Sequence, residues 1–144
     1  MSKTNSHVRG SNQATPHEHC HEVIDTLARI GDKWTVMIVG VLSRSGRLRY
    51  NEIHQRINGI SQRMLTLTLK GLEEDGLVRR TMYPTIPPRV EYELTALGQH
   101  LIKPLRNLYD WAVEYRPEIL AARKIYKAQS ARKQSERAAF FEPK

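Results

Sequence analysis

Apolar residues recur every three or four positions over five stretches of the chain and alternate over two more, a pattern that predicts a mainly α-helical protein with one small β-hairpin. Glu22 to Ile30 is the first predicted helix, with Val23, Ile24, Leu27 and Ile30 on one face. Gly31 breaks it, and Asp32 is placed to cap the helix that follows. That second helix, Lys33 to Ser43, is apolar nearly all round, as a central buried helix must be, and Trp34 at its start reads as a packing residue. Arg44-Ser45-Gly46 turns the chain, and Arg47-Leu48-Arg49 is long enough only for an edge strand. Tyr50 to Ile57 is a third helix, with Ile53 and Ile57 inward.

The stretch from Gly59 to Gly76 organises the rest. Ser61 is a good N-cap, because its hydroxyl can accept a bond from a free N–H of the first turn. Met64, Leu65, Thr68, Leu69 and Leu72 then form one stripe that should be buried, which turns Gln62, Arg63, Thr66, Leu67 and Lys70 outward together. Arg and Gln can pair with base edges in a major groove, and Thr or Leu can meet a thymine methyl. Asp75-Gly76 ends the helix with a residue able to take positive φ. Leu77 to Tyr83 alternates loosely and Val90 to Leu94 cleanly, while the prolines between them forbid helix or a paired central strand. The expectation is a winged helix-turn-helix whose wing has a stiff tip, with Arg89 at its base to enter a minor groove or meet a phosphate.

Thr95 can cap a last helix, on which Leu97, Leu101, Leu105, Leu108, Trp111, Ala112 and Tyr115 step by three or four, with Pro104 expected to bend it. A domain this small has already filled its core, so a further apolar helix asks for a partner. The economical partner is a second copy, because a two-fold dimer presents two reading helices about one DNA turn apart.

Charge sharpens this reading. The 144 residues carry a net charge of +8, but residues 22–120 hold fourteen bases against twelve acids, whereas residues 121–144 hold seven against two. Between Arg47 and Arg89 there are eight bases and four acids, so the positive field of the folded part falls where the reading face is. Three parts are expected: a disordered arm at 1–19, a DNA-binding and dimerisation domain at 20–120, and a basic extension at 121–144 that is a helical extension, a solvated tail or a non-specific DNA clamp, the first two being favoured. No apolar run is long enough to span a bilayer and no signal-peptide core begins the chain, so a cytoplasmic protein with no membrane partner is expected.

Cys20 is the sole cysteine, which excludes an intrachain disulfide framework and a multi-cysteine zinc site. His17, His19 and His21 flank it, yet adjacent residues of an arm seldom converge into a tetrahedral site, so no metal and no cofactor is expected. No phosphate-cradling glycine loop, carboxylate pair or nucleophile with a set base is present, and an enzyme is not expected. Gln62, Arg63, Thr66 and Lys70 are the candidates for base and groove contacts, and Ser61, Arg49, Arg79 and Arg89 for phosphate or wing contacts. A thiol at a helix N-terminus meets the positive end of the dipole, which favours reactivity and makes Cys20 a candidate sensor.

Cys20 ahead of a helix, GDKWT at Gly31 to Thr35, RYNEI at Arg49 to Ile53, GISQRMLTLTLKGLEEDGLVRR at Gly59 to Arg80 and YPTIPPRVEYELTALG at Tyr83 to Gly98 together resemble an HxlR-type winged-helix transcriptional regulator. The resemblance covers about residues 20–115. It implies a homodimer whose first and last helices form the interface, here Ile24, Leu27, Leu101, Leu105, Leu108, Trp111, Ala112 and Tyr115, on a pseudo-palindromic operator in double-stranded DNA. It also implies a repressor or activator, with repression the expected mode, and in several members an oxidant or electrophile sensed through one cysteine, which Cys20 matches. The chain departs from the pattern at His21, where proline is usual, at Leu67, usually polar, and at Gly71, usually a helix former.

Overall fold

The structure, a computed structural model, describes residues 16–141, with side chains from residue 20 onward. Of the expected arm, residues 1–15 and the side chains of His17 and His19 lie outside that description. Five helices and three strands follow in order: α1 Pro16–Ile30, α2 Lys33–Ser45, β1 Leu48–Arg49, α3 Tyr50–Arg56, α4 Gln62–Glu74, β2 Val78–Tyr83, β3 Arg89–Leu94 and α5 Ala96–Phe140. The chain divides after Thr95 into two units, each compact by itself.

In the first unit the strands form one antiparallel sheet in the order β1-β3-β2. Leu48 and Arg49 pair with Tyr92 and Glu91, and the hairpin runs from Val78 opposite Leu94 to Tyr83 opposite Arg89. Ile38, Val39 and Leu42 of α2, Ile53 of α3, and Leu65, Leu69 and Leu72 of α4 are buried together with Val78, Tyr92 and Leu94 of the sheet. Each such side chain contributes about 1.5–3 kcal/mol by leaving water, so α4 is held by its inner stripe and its outer face is free to carry function. The stripe is narrower than the spacing predicts. Met64 is 39% exposed and Thr68 is half-buried, its hydroxyl donating to the Met64 carbonyl at 2.7 Å. Asp32 caps α2 as expected, its carboxylate accepting from the N–H groups of Trp34 and Thr35 at 3.1 and 3.4 Å.

The first helix differs from the expectation at its start. It begins at Pro16, a residue favoured at a first helical position because it has no N–H to leave unsatisfied. Cys20 therefore stands inside α1 and not ahead of it. The positive end of a helix dipole fades within the first turn, so the dipole argument for Cys20 loses its ground.

The second unit is α5, a single helix of 45 residues that continues through Pro104 and Pro117. Leu101 and Leu105 are half-buried, whereas Leu108, Trp111, Ala112 and Tyr115 are exposed, with the Trp111 and Tyr115 rings 5.6 Å apart. The extension beyond residue 120 is helical as far as Phe140. Among the described residues no helix is long and apolar enough to cross a membrane.

Candidate nucleic-acid interface

Helix α4 starts where Ser61 predicts. Its hydroxyl accepts from the Met64 N–H at 3.1 Å, a bond worth about 1 kcal/mol to the helix. Gln62, Arg63, Thr66, Leu67 and Lys70 are all exposed, so the predicted reading face exists as one surface. Two side chains of α3 fix it. The Tyr50 hydroxyl donates to the Gln62 carbonyl at 2.8 Å and lies 3.0 Å from the Thr66 hydroxyl, tying the first turn of α4 to the start of α3. A ring nitrogen of His54 lies 3.0 Å from the Ile60 carbonyl and holds the turn between the helices. Thr66 is thus positioned by Tyr50, a partner 16 residues earlier in the chain that helix spacing could not disclose.

Arg49 is exposed at the junction of β1 and α3, where its N–H donates to Glu52 at 2.7 Å, the carboxylate of the first helical turn. It lines an open groove of about 600 Å³ together with Tyr50 and Asn51 on one side and Thr85 to Val90 of the wing on the other. Arg89 lines the same groove, so two of the predicted wing contacts come together there. The position of Arg89 corrects the expectation. It is the first residue of β3 and faces Tyr83 across the last rung before the tip, at the far end of the hairpin and not at its base.

The outer face of the sheet carries a charge network that the sequence did not single out. Arg47 meets both carboxylate oxygens of Glu93 at 3.2 Å, donates to the Tyr83 hydroxyl at 2.8 Å and stands 3.7 Å from Glu91. The hydrogen bond to Glu93, with the charge of that carboxylate, raises the pKa of the Arg47 guanidinium above its ordinary value. Arg79 reaches Glu93 at 3.5 Å, and Arg89 lies 3.3 Å from Glu91 with its guanidinium 4.3 Å above the Tyr83 ring. The buried Arg89 Nε is close enough to Glu91 for charge attraction yet lacks a well-aligned acceptor. Arg79 and Arg89 are therefore held by carboxylates, whereas Arg63 and Lys70 on α4 carry no ion pair among the described residues. Arg80, across from Tyr92, is exposed.

Cys20 is exposed on α1, apart from these residues in the chain. Among the described residues no three His, Cys, Asp or Glu side chains gather in a way that would hold a metal ion.

The surface so assembled is an exposed polar and cationic helix face beside a wing. Residues 29–119 match the sequence model of the HxlR-like helix-turn-helix family. The HTH-type transcriptional regulator YtfH of Escherichia coli is 38% identical over 99 residues, covering 69% of this chain and 78% of that one. Among solved structures, the redox regulator HypR in its reduced form superposes with a TM-score of 0.60 at 39% identity over 66% of this chain and 93% of its own. Diamide-treated YodB from Bacillus subtilis superposes with a TM-score of 0.58 at 31% identity over 72% and 97%. These relatives are transcriptional regulators and not enzymes, and the family match takes in α4, the turn before it and the hairpin. The chain belongs to the HxlR-like helix-turn-helix family of DNA-binding transcriptional regulators.

Proposed function

We propose that the protein is a repressor that binds a pseudo-palindromic operator as a homodimer in the cytoplasm, and that Cys20 switches it. The observation that carries the operator reading is the exposed face of α4, where Gln62, Arg63, Thr66 and Lys70 stand together and Tyr50 holds the first turn. Arg and Gln at those positions suit paired bonds to base edges, which specify sequence. Ser61, Arg49, Arg79 and Arg89 are assigned to phosphates, which position the helix without reading bases. Arg79 is 64% exposed and meets Glu93 only at 3.5 Å, whereas Arg89 is held between Glu91 and the Tyr83 ring, so Arg89 loses less side-chain freedom on meeting a phosphate.

Exposed apolar side chains support the dimer. Ile24 and Leu27 on α1 and Leu108, Trp111 and Tyr115 on α5 all present large apolar area to solvent in the single chain, and Leu101, Leu105 and Ala112 extend the α5 stripe. For the thiol, support comes from the exposure of Cys20 and from two structural neighbours, one described as a redox regulator and the other solved after diamide treatment. An oxidant or electrophile that joins two Cys20 thiols, or caps each one, would change the α1 surface at the proposed interface.

The test is fluorescence anisotropy with the DNA upstream of the protein's own gene, against shuffled competitor, before and after diamide. Preference for the native sequence by several kcal/mol is expected when reduced, with release on oxidation that Cys20→Ser abolishes. An unchanged diamide response in Cys20→Ser would remove the thiol switch, and equal affinity for shuffled DNA would remove the operator reading.

A further inference from the structure

The family match ends at residue 119, yet α5 runs on for another 21 residues to Phe140. Over that length the helix carries six bases, Arg123, Lys124, Lys127, Arg132, Lys133 and Arg137, against one acid, Glu136. Every residue from Leu120 to Phe140 is exposed except the half-buried Ser130. Arg132 pairs with Glu136 at 3.6 Å, and among the described residues the other five bases have no acidic partner. The bases are distributed around the helix, and Lys133 and Glu136 interrupt the side on which Ile125, Tyr126 and Phe140 stand. No apolar stripe remains to sink into a bilayer or to pair with the same helix of a second copy, which the excess charge would repel. A fixed rod of unpaired cations is complementary to a polyanion.

We infer that residues 120–140 bind the phosphate backbone of DNA flanking the operator, a contact made in addition to that of the reading helix. The inference rests on the DNA-binding reading above. At 1.5 Å per residue the segment is about 32 Å long, close to the ~34 Å of one DNA turn, so it can cross both strands where they pass its face. Contacts of this kind carry no sequence information. They release counterions and act equally on every sequence.

The experiment compares the full-length protein with a variant in which Lys124, Lys127, Lys133 and Arg137 are changed to Gln, a residue as permissive of helix as Lys. Binding to a shuffled 60-base-pair duplex and to the upstream DNA is measured from low to high salt. The slope of log affinity against log salt should flatten by about two to four in the variant, since each phosphate contact contributes about 0.9. Affinity for both duplexes should fall by the same factor, leaving their ratio unchanged. A companion variant with Lys124, Lys127 and Lys133 changed to Arg keeps the charge and should keep the wild-type slope, which separates a charge effect from a folding defect. Equal slopes for wild type and the Gln variant would overturn the inference. So would equal slopes accompanied by loss of binding to phosphatidylglycerol vesicles, which would assign the surface to membranes. Failure of the operator reading appears separately, as a wild-type protein that does not distinguish the two duplexes.

Discussion

Tyr50 and Arg63 illustrate two different duties at the proposed DNA-facing surface. The Tyr50 hydroxyl spends its proton on the Gln62 carbonyl and meets Thr66, so it works on the fold and only through it on DNA. Arg63 is exposed and makes no ion pair among the described residues, so its guanidinium is available to a base. Tyr50→Phe is expected to cost about 1 kcal/mol of stability, the net worth of a hydrogen bond in a part-exposed site, read as a lower urea midpoint. Arg63→Ala should leave that midpoint in place and cost the upstream sequence about 1–3 kcal/mol, with little effect on shuffled DNA. If Arg63→Ala weakens both DNAs equally, Arg63 belongs with the phosphate contacts.

At the scale of the element, α4 combines a strong start with a weak far half. Ser61 caps the first turn, but Gly71 sits in the third with no steric need for glycine, since an added Cβ would meet only Arg29 Nη2 at 3.7 Å. Arg29 of α1 also reaches Glu74 at 3.6 Å and Asp75 at 3.1 Å, steadying the end of α4 from outside. Gly71→Ala should therefore raise stability by about 0.5–1 kcal/mol through reduced backbone freedom in the unfolded chain, visible as a higher urea midpoint. A drop in midpoint would mean that the Arg29 link is displaced. Much of this was legible in advance, because caps and periodicity are local: Asp32, Ser61, the inner stripe of α4 and the alternation at Val90 to Leu94 all act within a few residues. The start of α1 was not legible, because the residues from Pro16 to His21 carry no apolar face to announce a helix. The run of α5 across Pro104 was legible from its three- and four-residue apolar steps, whereas Pro117, which also removes a donor, lies beyond the last of those steps. Partners such as Arg47 and Glu93, 46 residues apart, leave no trace in a periodic pattern.

For the whole molecule the proposed assembly and the charge distribution make separate demands. Leu108 and Trp111 are 58% and 52% exposed in the single chain, an amount of apolar surface that a second copy would cover. Replacing both with Glu should shift the protein from dimer to monomer in sedimentation velocity and weaken upstream-DNA binding by more than tenfold, because the second half-site is lost. A variant that sediments as a dimer would place the interface elsewhere. The net charge of +8 is a property of the ends more than of the middle, so neutralising the extension should change ionic-strength dependence while leaving the oligomer intact.

The Arg47 network has a consequence for engineering and for divergence among relatives. Arg47 lies before β1, outside the hairpin, yet it satisfies Glu93 and Tyr83, which belong to the hairpin. The wing is therefore not a portable cassette. A graft of residues 78–94 into another scaffold would keep Arg79 beside Glu93 and Arg89 beside Glu91 but would lose the two-oxygen clamp on Glu93 and the donor to the Tyr83 hydroxyl unless an arginine equivalent to Arg47 travelled with it, and swaps that ignore this would be read as failures of recognition when they are failures of support.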